Sequence, residues 1–154
     1  NVVLSGVAST ARSLAPFSEV AALGELPRLV AQADYVVNLL PNTPATRDIY
    51  DAALLARFQP SAVLINAGRG TAVVDEDLVA ALASGQLAAA VIDVCREEPL
   101  PAGHPFWAAR NLTLTGHSAA PTLPHLLVEL FLANLQCYRA GAELQGLVDF
   151  ARGY

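Results

Sequence analysis

Short apolar runs that alternate with segments of helical composition constrain the fold of this chain more than any other feature. The strand-like runs occupy residues 2–4, 35–40, 62–65, 88–94 and 112–115. Most are separated by helix-forming segments such as residues 75–83, which open on three acidic side chains and are followed by Gly85. Alternation of strands and helices is typical of a parallel sheet. The sequence therefore predicts an α/β fold with a doubly wound parallel sheet.

The remaining segments fit the same architecture. Residues 25–33 and 52–58 predict two short helices. Residues 8–22 mix Ser, Thr, Pro and Ala, which indicates a loop with one turn of helix. Residues 121–139 predict a long final helix, which ends near Gly141 because Gly is favoured just past a helix terminus.

Length and composition limit the classes of protein to which the chain can belong. With 154 residues, 54% hydrophobic and 15% charged, it is long enough for one domain and too apolar for a disordered chain. No apolar run reaches the ~18–20 residues that cross a bilayer. The net charge is −5, and the nine basic residues are arginines scattered singly. The sequence therefore predicts no nucleic-acid partner and no membrane attachment.

The two cysteines and the first residue bear on where the protein works and on its extent. Cys95 and Cys137 form neither a CxxC pair nor a metal-ligand spacing, so we expect reduced thiols in the cytoplasm and no metal site. The sequence begins at Asn1 and contains no Met. We therefore expect further residues to precede Asn1 in the native protein.

Three functional side chains follow three of the predicted strands. Arg69, Glu98 and His117 each lie a few residues beyond an apolar run. Because the carboxyl ends of parallel strands share one edge, where ligands bind in open sheets, we expect these side chains to lie close together. A guanidinium binds carboxylates, and an imidazole beside a carboxylate transfers protons near neutral pH. The combination predicts a site that holds an acidic substrate and moves one proton.

Other reactive or aromatic residues lack such a position. Glu97 is interpreted as solvent-facing, although it adjoins Glu98. His104 and His125 are interpreted as surface or helix-packing residues, since an isolated histidine is more often structural than catalytic. Trp107 is interpreted either as a loop packing anchor or as an aromatic of an interface or substrate pocket.

Four ordered motifs resemble those of the D-isomer-specific 2-hydroxyacid dehydrogenases. They are LLPNTPAT at residues 39–46, NAGRG at 66–70, IDVCREEPL at 92–100 and GHSAA at 116–120. The ending VDFARGY at residues 148–154 resembles the glyoxylate/hydroxypyruvate reductase A branch of that family. The resemblance covers nearly the whole chain. It implies a Rossmann-like domain and NAD(P)H-dependent reduction of small 2-keto acids, such as glyoxylate and hydroxypyruvate, to D-2-hydroxy acids.

The resemblance assigns catalytic roles to the three side chains. His117 is implied to donate the proton to the substrate carbonyl, and Glu98 to accept a hydrogen bond from the other ring nitrogen. Arg69 is implied to bind the substrate carboxylate through two parallel hydrogen bonds. Arg152 is the alternative residue for that carboxylate.

The resemblance also implies a nicotinamide cofactor and the residues that contact it. These residues are Ser5, Arg12, Leu40, Pro41, Thr46, Ala67, Gly68, Arg69, Asp93 and His117. NAD-selective domains usually have an acidic residue after the second strand, which binds the ribose hydroxyls. Residues 5–12 contain hydroxyls and an arginine but no acid, which favours NADP and leaves NAD possible.

Two parts of such an enzyme have no counterpart in the sequence. No GxGxxG loop is present, so we expect the first βα unit and the substrate lobe to lie outside these residues. Residues 1–120 are then a partial dinucleotide-binding domain with catalytic loops. Residues 121–154 are a helix and tail that pack toward the substrate lobe. The apolar surplus of that helix is expected to pack on the substrate lobe or on a second subunit, and the resemblance implies a homodimer.

Two alternatives remain open from the sequence. A phosphoglycerate- or D-lactate-type dehydrogenase would share these motifs and differ in the substrate lobe. A non-catalytic nucleotide-sensing module or remnant of the same fold would explain the missing phosphate loop. Such a remnant would have no chemical need for Arg69, Glu98 and His117 together.

Overall fold

Six strands in two parallel sheets form the framework of the protein. The computed structural model describes residues 2–151 and residue 153. The strands are β1 (Ser5–Ala8), β2 (Glu19–Ala22), β3 (Tyr35–Asn38), β4 (Val63–Asn66), β5 (Ala89–Ile92) and β6 (Leu112–Leu114). β1 pairs with β2, and the four-stranded sheet has the order β3-β4-β5-β6. All of these pairings are parallel, so the predicted α/β fold is confirmed.

Four α-helices connect or follow the strands. They are α1 (Leu26–Val30), α2 (Ala52–Leu55), α3 (Asp75–Ser84) and α4 (Pro124–Ala140). The Asp51 carboxylate caps α2 by accepting the Leu54 N–H at 2.8 Å. The first turn of α3 is acidic, as the helix dipole favours, and the helix ends at Gly85 with φ 76°. α4 ends in the same way at Gly141, with φ 66°.

One apolar core lies between the four-stranded sheet and helices α2 and α3. Side chains alternate across a strand, so every second strand residue points into this core. Its buried members include Val36, Leu64, Ala90 and Ile92 from the strands and Leu54, Leu55, Leu78 and Leu82 from the helices. Val7 of β1 packs against the same cluster. The two-stranded sheet is therefore part of the same folded unit.

The register of the four-stranded sheet aligns the carboxyl ends of its strands. Asn38 of β3 pairs with Asn66 of β4, and Asn66 pairs with Ile92 of β5. Ile92 in turn pairs with Leu114 of β6. The loops that follow these four strands therefore begin at one edge of the sheet, which we call the carboxyl edge.

The strand order of the two sheets taken together matches a doubly wound sheet. Such a sheet has the order 3-2-1-4-5-6, with the first strand between the second and the fourth. If β1 and β2 take positions two and three, β3, β4 and β5 take positions four to six, and β6 adds a seventh strand at the edge. No strand within residues 2–151 takes the first position. The structure is therefore a truncated Rossmann-like domain.

The position predicted for the first strand is wrong. Residues 2–4 lie outside the strand, which instead comprises Ser5–Ala8. The ladder with β2 begins only where Ser18 donates its N–H to the Leu4 carbonyl, at 2.8 Å. Val2 and Val3 precede this ladder and are exposed. Asn1, which precedes the predicted strand, lies outside the described residues.

The loop predicted at residues 8–22 is also wrong, because it contains β2. Two of the four residues of this strand, Val20 and Ala21, are buried. A four-residue strand has a weak local signal, and its packing against neighbours determines its conformation. The other predicted element boundaries differ from the observed ones by at most three residues.

Two apolar surfaces remain uncovered in the described residues. The apolar run of residues 35–40 is typical of a strand buried on both faces, yet one face is uncovered here, because Tyr35, Val37 and Leu39 are more than half exposed. Helix α4 has no buried residue along its length. None of the helices in the described part of the chain has the length and apolar character needed to cross a membrane.

Gly70 provides a stability test of the packing at the carboxyl edge. A Cβ atom added there would lie 2.0 Å from the carbonyl carbon of Cys95 and 2.2 Å from its oxygen. Because backbone would have to shift, we expect Gly70→Ala to lower the free energy of unfolding by about 1–3 kcal/mol. Urea unfolding of the intact protein measures this change. Gly24→Ala is the matched control, since nothing lies within 4 Å of its added Cβ. If the two variants unfolded at the same urea concentration, the close packing of Gly70 would be contradicted.

Candidate active site

Two buried asparagines organise the loops after β3 and β4. The Asn38 side-chain amide donates to the Asn66 Oδ1 at 2.8 Å. The Asn38 Oδ1 accepts the Leu40 N–H, while the Asn66 Oδ1 also accepts the Gly68 N–H. The Asn66 amide donates to the Arg69 carbonyl at 3.1 Å. These hydrogen bonds fix the first residues of both loops where they leave β3 and β4. Sequence reasoning missed it, although two asparagines ending successive predicted strands were a usable signal.

Arg69 presents its guanidinium at the carboxyl edge. The residue is exposed, and its extended backbone has φ −141°. Its Nη1 donates to the Gly68 carbonyl at 2.7 Å. The other guanidinium N–H groups have no hydrogen-bond partner among the described residues. Most of the fork is therefore available to a planar anion such as a carboxylate.

Glu98 and His117 form a hydrogen-bonded pair, as the sequence predicts. The His117 Nδ1 lies 2.8 Å from the Glu98 Oε2. The other carboxylate oxygen accepts the Cys95 N–H, also at 2.8 Å. The hydrogen bond from His117, followed by that from the Cys95 N–H, lowers the pKa of Glu98 below its usual value. Glu98 is therefore a carboxylate at neutral pH, so it accepts a hydrogen bond from the His117 Nδ1 and leaves Nε2 for a substrate.

Asp93 anchors the loop that carries His117. Its carboxylate accepts hydrogen bonds from the Thr115 hydroxyl and from the N–H groups of Ser118 and Ala119. Its carbonyl accepts the His117 N–H at 2.8 Å. These bonds hold His117 in a left-handed backbone conformation with φ 53°, which is uncommon for residues other than glycine. The hydrogen bond from Thr115, followed by those from the two N–H groups, lowers the pKa of Asp93 to about 2.

The loop of Arg69 lies directly against the loop of Glu98. Gly70 packs on the backbone of Cys95 and Arg96 so closely that a Cβ atom would overlap it. The Arg96 guanidinium donates to carbonyls of the chain that follows Gly70. The structure therefore brings the three predicted catalytic residues to one edge, with Glu98 and His117 in direct contact and Arg69 joined to them through these loops.

Most residues predicted to bind a cofactor also lie along the carboxyl edge. Leu40 and Pro41 follow β3, and Ala67 and Gly68 follow β4. Thr46 differs, because it is buried and its hydroxyl is engaged within its own loop. That hydroxyl donates to the Pro41 carbonyl and accepts the N–H of Thr43. Thr46 therefore shapes the loop, and its hydroxyl is not free for a ligand.

Ser5 and Arg12, the two residues predicted to contact the ribose, lie at opposite ends of β1. Ser5 begins β1, so it lies at the amino end of the strand, away from the edge where ligands bind. Ser9, Thr10 and Arg12 follow the carboxyl end of β1 and are exposed. The Arg12 side chain has no hydrogen-bond or ion-pair partner among the described residues. Two hydroxyls and a free guanidinium are a donor set that fits a phosphate-bearing ribose.

The fold and the site together define a class of protein. A parallel doubly wound sheet with loops at its carboxyl edge is the architecture of dinucleotide-binding domains, among other classes of protein. The imidazole–carboxylate pair beside a guanidinium adds the groups for proton transfer to an anionic substrate. Residues 4–119 match the family model described as D-isomer specific 2-hydroxyacid dehydrogenase, NAD binding domain. The chain belongs to this family.

Known proteins of similar sequence and structure agree with this assignment. The chain is 44% identical to glyoxylate/hydroxypyruvate reductase A of Yersinia enterocolitica over 130 residues, which are 84% of this chain and 42% of that protein. A D-isomer specific 2-hydroxyacid dehydrogenase family protein from Aeromonas salmonicida superposes with a TM-score of 0.89 at 38% identity, over 95% of this chain and 47% of that one.

A third relative was solved with a bound nucleotide. The NADPH-dependent glyoxylate/hydroxypyruvate reductase of Sinorhizobium meliloti, in complex with NADP and sulfate, superposes with a TM-score of 0.84 at 33% identity. The match covers 97% of this chain and 49% of that one. The chain thus spans less than half the length of each of these three relatives.

Asp93 provides a pH-dependent test of the loop anchor. Its pKa in the folded protein is lowered, so its carboxylate stabilises the fold above the ordinary aspartate pKa of ~3.9 and loses this effect as the pH falls through about 2. We expect Asp93→Asn to destabilise the intact protein at neutral pH, and the deficit to shrink below about pH 4. Urea unfolding from neutral to acidic pH measures it.

The matched control for this test is Asp34→Asn. Asp34 is exposed, and its carboxylate accepts no hydrogen bond among the described residues. This control should leave the unfolding free energy unchanged across the same pH range. A deficit for Asp93→Asn that does not change with pH would show that its carboxylate charge is not what holds the loop.

Proposed function

We propose that the intact protein reduces small 2-keto acids, such as glyoxylate and hydroxypyruvate, to D-2-hydroxy acids with NADPH. The observation that carries this proposal is the Glu98–His117 hydrogen bond of 2.8 Å at the carboxyl edge, next to the loop of Arg69. A proton donor and a carboxylate-binding cation are the two groups that a keto-acid reductase needs from its protein. The names of the Yersinia and Sinorhizobium relatives support the choice of substrate.

Each side chain of the site has one task in this reaction. Arg69 holds the substrate carboxylate through its planar fork, a geometry that fixes the direction of the carbonyl group. His117 donates a proton from Nε2 to the carbonyl oxygen, because its Nδ1 is engaged by Glu98. Glu98 stabilises the protonated ring before the transfer and keeps the ring oriented. NADPH, when bound, would supply the hydride to carbon 2 of the keto acid.

The cofactor would lie along the carboxyl edge. Leu40, Ala67 and Gly68 would line its path, and Asp93, which anchors the loop of His117, would hold that loop next to the nicotinamide. Arg12, with Ser9 and Thr10, would bind the 2′-phosphate, and no acidic side chain follows β1 to repel it. NADP is therefore the proposed cofactor, with NAD as the weaker alternative. The Sinorhizobium relative, described as NADPH-dependent, supports this preference.

Helix α4 has a proposed partner in the assembled enzyme. Its apolar residues are exposed in the described part of the chain, with Leu126, Leu127, Leu130 and Phe131 each more than 40% accessible. Such a face is stable in water only when something covers it. We propose that residues 121–154 pack on a substrate lobe and across a homodimer interface. Arg152, the alternative residue for binding the substrate carboxylate, lies outside the described residues.

The cytoplasmic location of the protein stays a prediction.

A panel of substrates tests the proposed function against its alternatives. The intact protein is assayed with glyoxylate, hydroxypyruvate, pyruvate and 3-phosphohydroxypyruvate, each with NADPH and NADH. We expect the highest kcat/KM with glyoxylate or hydroxypyruvate. Preference for the phosphorylated substrate or for pyruvate would favour a phosphoglycerate- or D-lactate-type enzyme. Absence of turnover with all four would favour a nucleotide-sensing module.

Substitutions at the imidazole–carboxylate pair test the chemistry. His117→Ala should lower kcat by ~10²–10⁴-fold, as expected when a general acid is removed. The dissociation constant for NADPH should change little, because the loop anchor at Asp93 remains. Glu98→Gln should shift the pH optimum of reduction downward, since the protonated ring loses its anionic neighbour. pH–rate profiles measure the shift.

The matched control for Glu98→Gln is Glu97→Gln. Glu97 is the adjacent residue, is exposed and has no hydrogen-bond or ion-pair partner among the described residues. Its pH–rate profile should coincide with that of the wild type. An unmoved profile for Glu98→Gln would assign that carboxylate a structural role only.

A charge reversal at Arg12 tests the cofactor preference. Arg12→Glu should lower or reverse the preference for NADPH, measured as kcat/KM with NADPH divided by kcat/KM with NADH. The substitution removes a charged hydrogen bond to the phosphate, which contributes up to ~3 kcal/mol to this preference. The reason is that the new carboxylate repels the 2′-phosphate and accepts ribose hydroxyls. Arg57→Glu is the control, because it makes the same charge change on an exposed residue that follows α2. A wild-type protein that prefers NADH would contradict the role of Arg12.

A further inference from the structure

We propose that Arg96 is a positioning residue, which ties the loop that carries Arg69 to the loop that carries Glu98. The inference rests on the proposed function, because it assigns a role in aligning the same substrate. Arg96 lies two residues before Glu98 in sequence. It has no assigned role in the site and does not face the proposed substrate position. Its side chain reaches back to the chain that follows Arg69.

The hydrogen bonds of Arg96 join two segments of the carboxyl edge. Its Nε donates to the Val73 carbonyl at 2.8 Å, and its Nη2 donates to the same carbonyl. The Nη2 also donates to the Thr71 carbonyl at 3.3 Å. The same nitrogen forms an ion pair with the Asp48 carboxylate. One planar guanidinium therefore has acceptors on the segment of residues 71–73 and on the segment before α2.

Backbone contacts of Gly70, Asp48 and Tyr50 also hold the segment that Arg96 binds. Gly70 packs on the Cys95 and Arg96 backbone without room for a Cβ atom. The Asp48 N–H donates to the Thr71 carbonyl at 2.9 Å. The Tyr50 N–H donates to the Ala72 carbonyl at the same distance. Residues 71–73 are thus held between the Arg96 loop and the segment of residues 48–50.

A buried carboxylate orients Arg96 from beneath. Asp75, at the start of α3, is 8% exposed, and its Oδ1 lies 3.7 Å from the Arg96 Nε. Its Oδ2 lies 3.3 Å from the His104 Nε2. The His104 Nδ1 accepts the Phe106 N–H, which leaves Nε2 as the ring nitrogen that faces Asp75. Burial raises the pKa of Asp75, and the charge of Arg96 opposes this shift. His104, interpreted from the sequence as a packing residue, therefore also supports the network.

The chemistry of the contacts explains why this position has an arginine. The Arg96 side chain is 29% exposed and contacts backbone carbonyls on one side and carboxylates on two others. A lysine ammonium is a point charge and cannot occupy all of these directions at once. For the reaction, Arg96 would fix the distance between the substrate carboxylate, which is bound at Arg69, and the proton donor, which is His117. A shift of about 1 Å in such spacing can lower a rate by ~10²-fold.

Kinetics of Arg96 variants of the intact protein test the inference. Arg96→Gln should lower kcat for glyoxylate by ~10–100-fold, because the carbonyl group is no longer aligned with His117. The dissociation constant for NADPH should stay within about twofold, since Ala67 and Gly68 precede the segment that Arg96 binds and the Gly68 N–H is held by Asn66. Arg96→Lys should recover little of the loss, because it restores the charge without the fork. Arg110→Gln is the matched control, on an exposed arginine with no side-chain partner among the described residues.

A double-mutant cycle separates positioning from general destabilisation. If Arg96 acts through Arg69, then Arg96→Gln should cost far less in an Arg69→Lys background than in the wild type. Equal, additive losses in both backgrounds would overturn the inference. Asp48→Asn is a second variant, at a half-exposed carboxylate, in case Arg96→Gln fails to fold. It should lower kcat in the same direction by ~3–10-fold, since it removes one of the anionic partners that orient the guanidinium; an unchanged kcat would overturn the inference.

Hydrogen exchange gives a readout that does not depend on turnover. In Arg96→Gln the amides of residues 72–74 should exchange at least ~10-fold faster than in the wild type, while those in the middle of α3 keep their protection. Unchanged exchange at residues 72–74 would overturn the inference even if the wild type reduced none of the tested keto acids. Faster exchange with wild-type kcat and KM would also overturn it. An inactive wild type with faster exchange in the variant would count against the proposed function alone.

Discussion

The hydrogen bond between the buried amides of Asn38 and Asn66 is the interaction on which the rest of the carboxyl edge depends. Both side chains are almost fully excluded from water, so each unpaired amide group would be costly. They avoid this cost by bonding to each other and to the backbone that leaves β3 and β4. The direction in which the Arg69 loop leaves the sheet is therefore set by the same bonds that make burial of the two amides tolerable.

The other loops of the site repeat this use of a polar side chain as an anchor for backbone. Asp93 holds the His117 loop by accepting from a hydroxyl and two N–H groups. Arg96 performs the complementary task by donating to carbonyls. Acceptors gather N–H groups and donors gather carbonyls, so loops without regular secondary structure still satisfy their backbone. This explains how short loops can hold three reactive side chains in place.

The sequence predicted what depends on local pattern, and it failed where a long-range contact decides the outcome. Strand runs, acidic helix starts and glycine caps are local, and the parallel sheet and the ends of α3 and α4 were predicted from them. The strand β2 was missed because its four residues become a strand only by pairing with β1. A common edge for Arg69, Glu98 and His117 could be predicted because each follows a strand, and the resemblance implied the Glu98–His117 hydrogen bond. The contacts of Arg96 could not, since they reach residues 23 and 48 positions earlier in the chain.

The strength of the interaction between His117 and Glu98 depends on how far water is excluded from the two side chains. The described residues bury them only in part. The side chains of His117 and Glu98 are 57% and 40% exposed. Ion pairs exposed to this degree contribute roughly 0–1 kcal/mol, because water screens them. The same charges at the same distance interact several times more strongly once water is excluded. Hydrogen bonds within the domain thus fix the positions of the imidazole and the carboxylate, while a strong interaction between them requires a cover over the carboxyl edge. The proposed substrate lobe would provide this cover, and the Glu98–His117 hydrogen bond would then lie in an environment from which water is excluded.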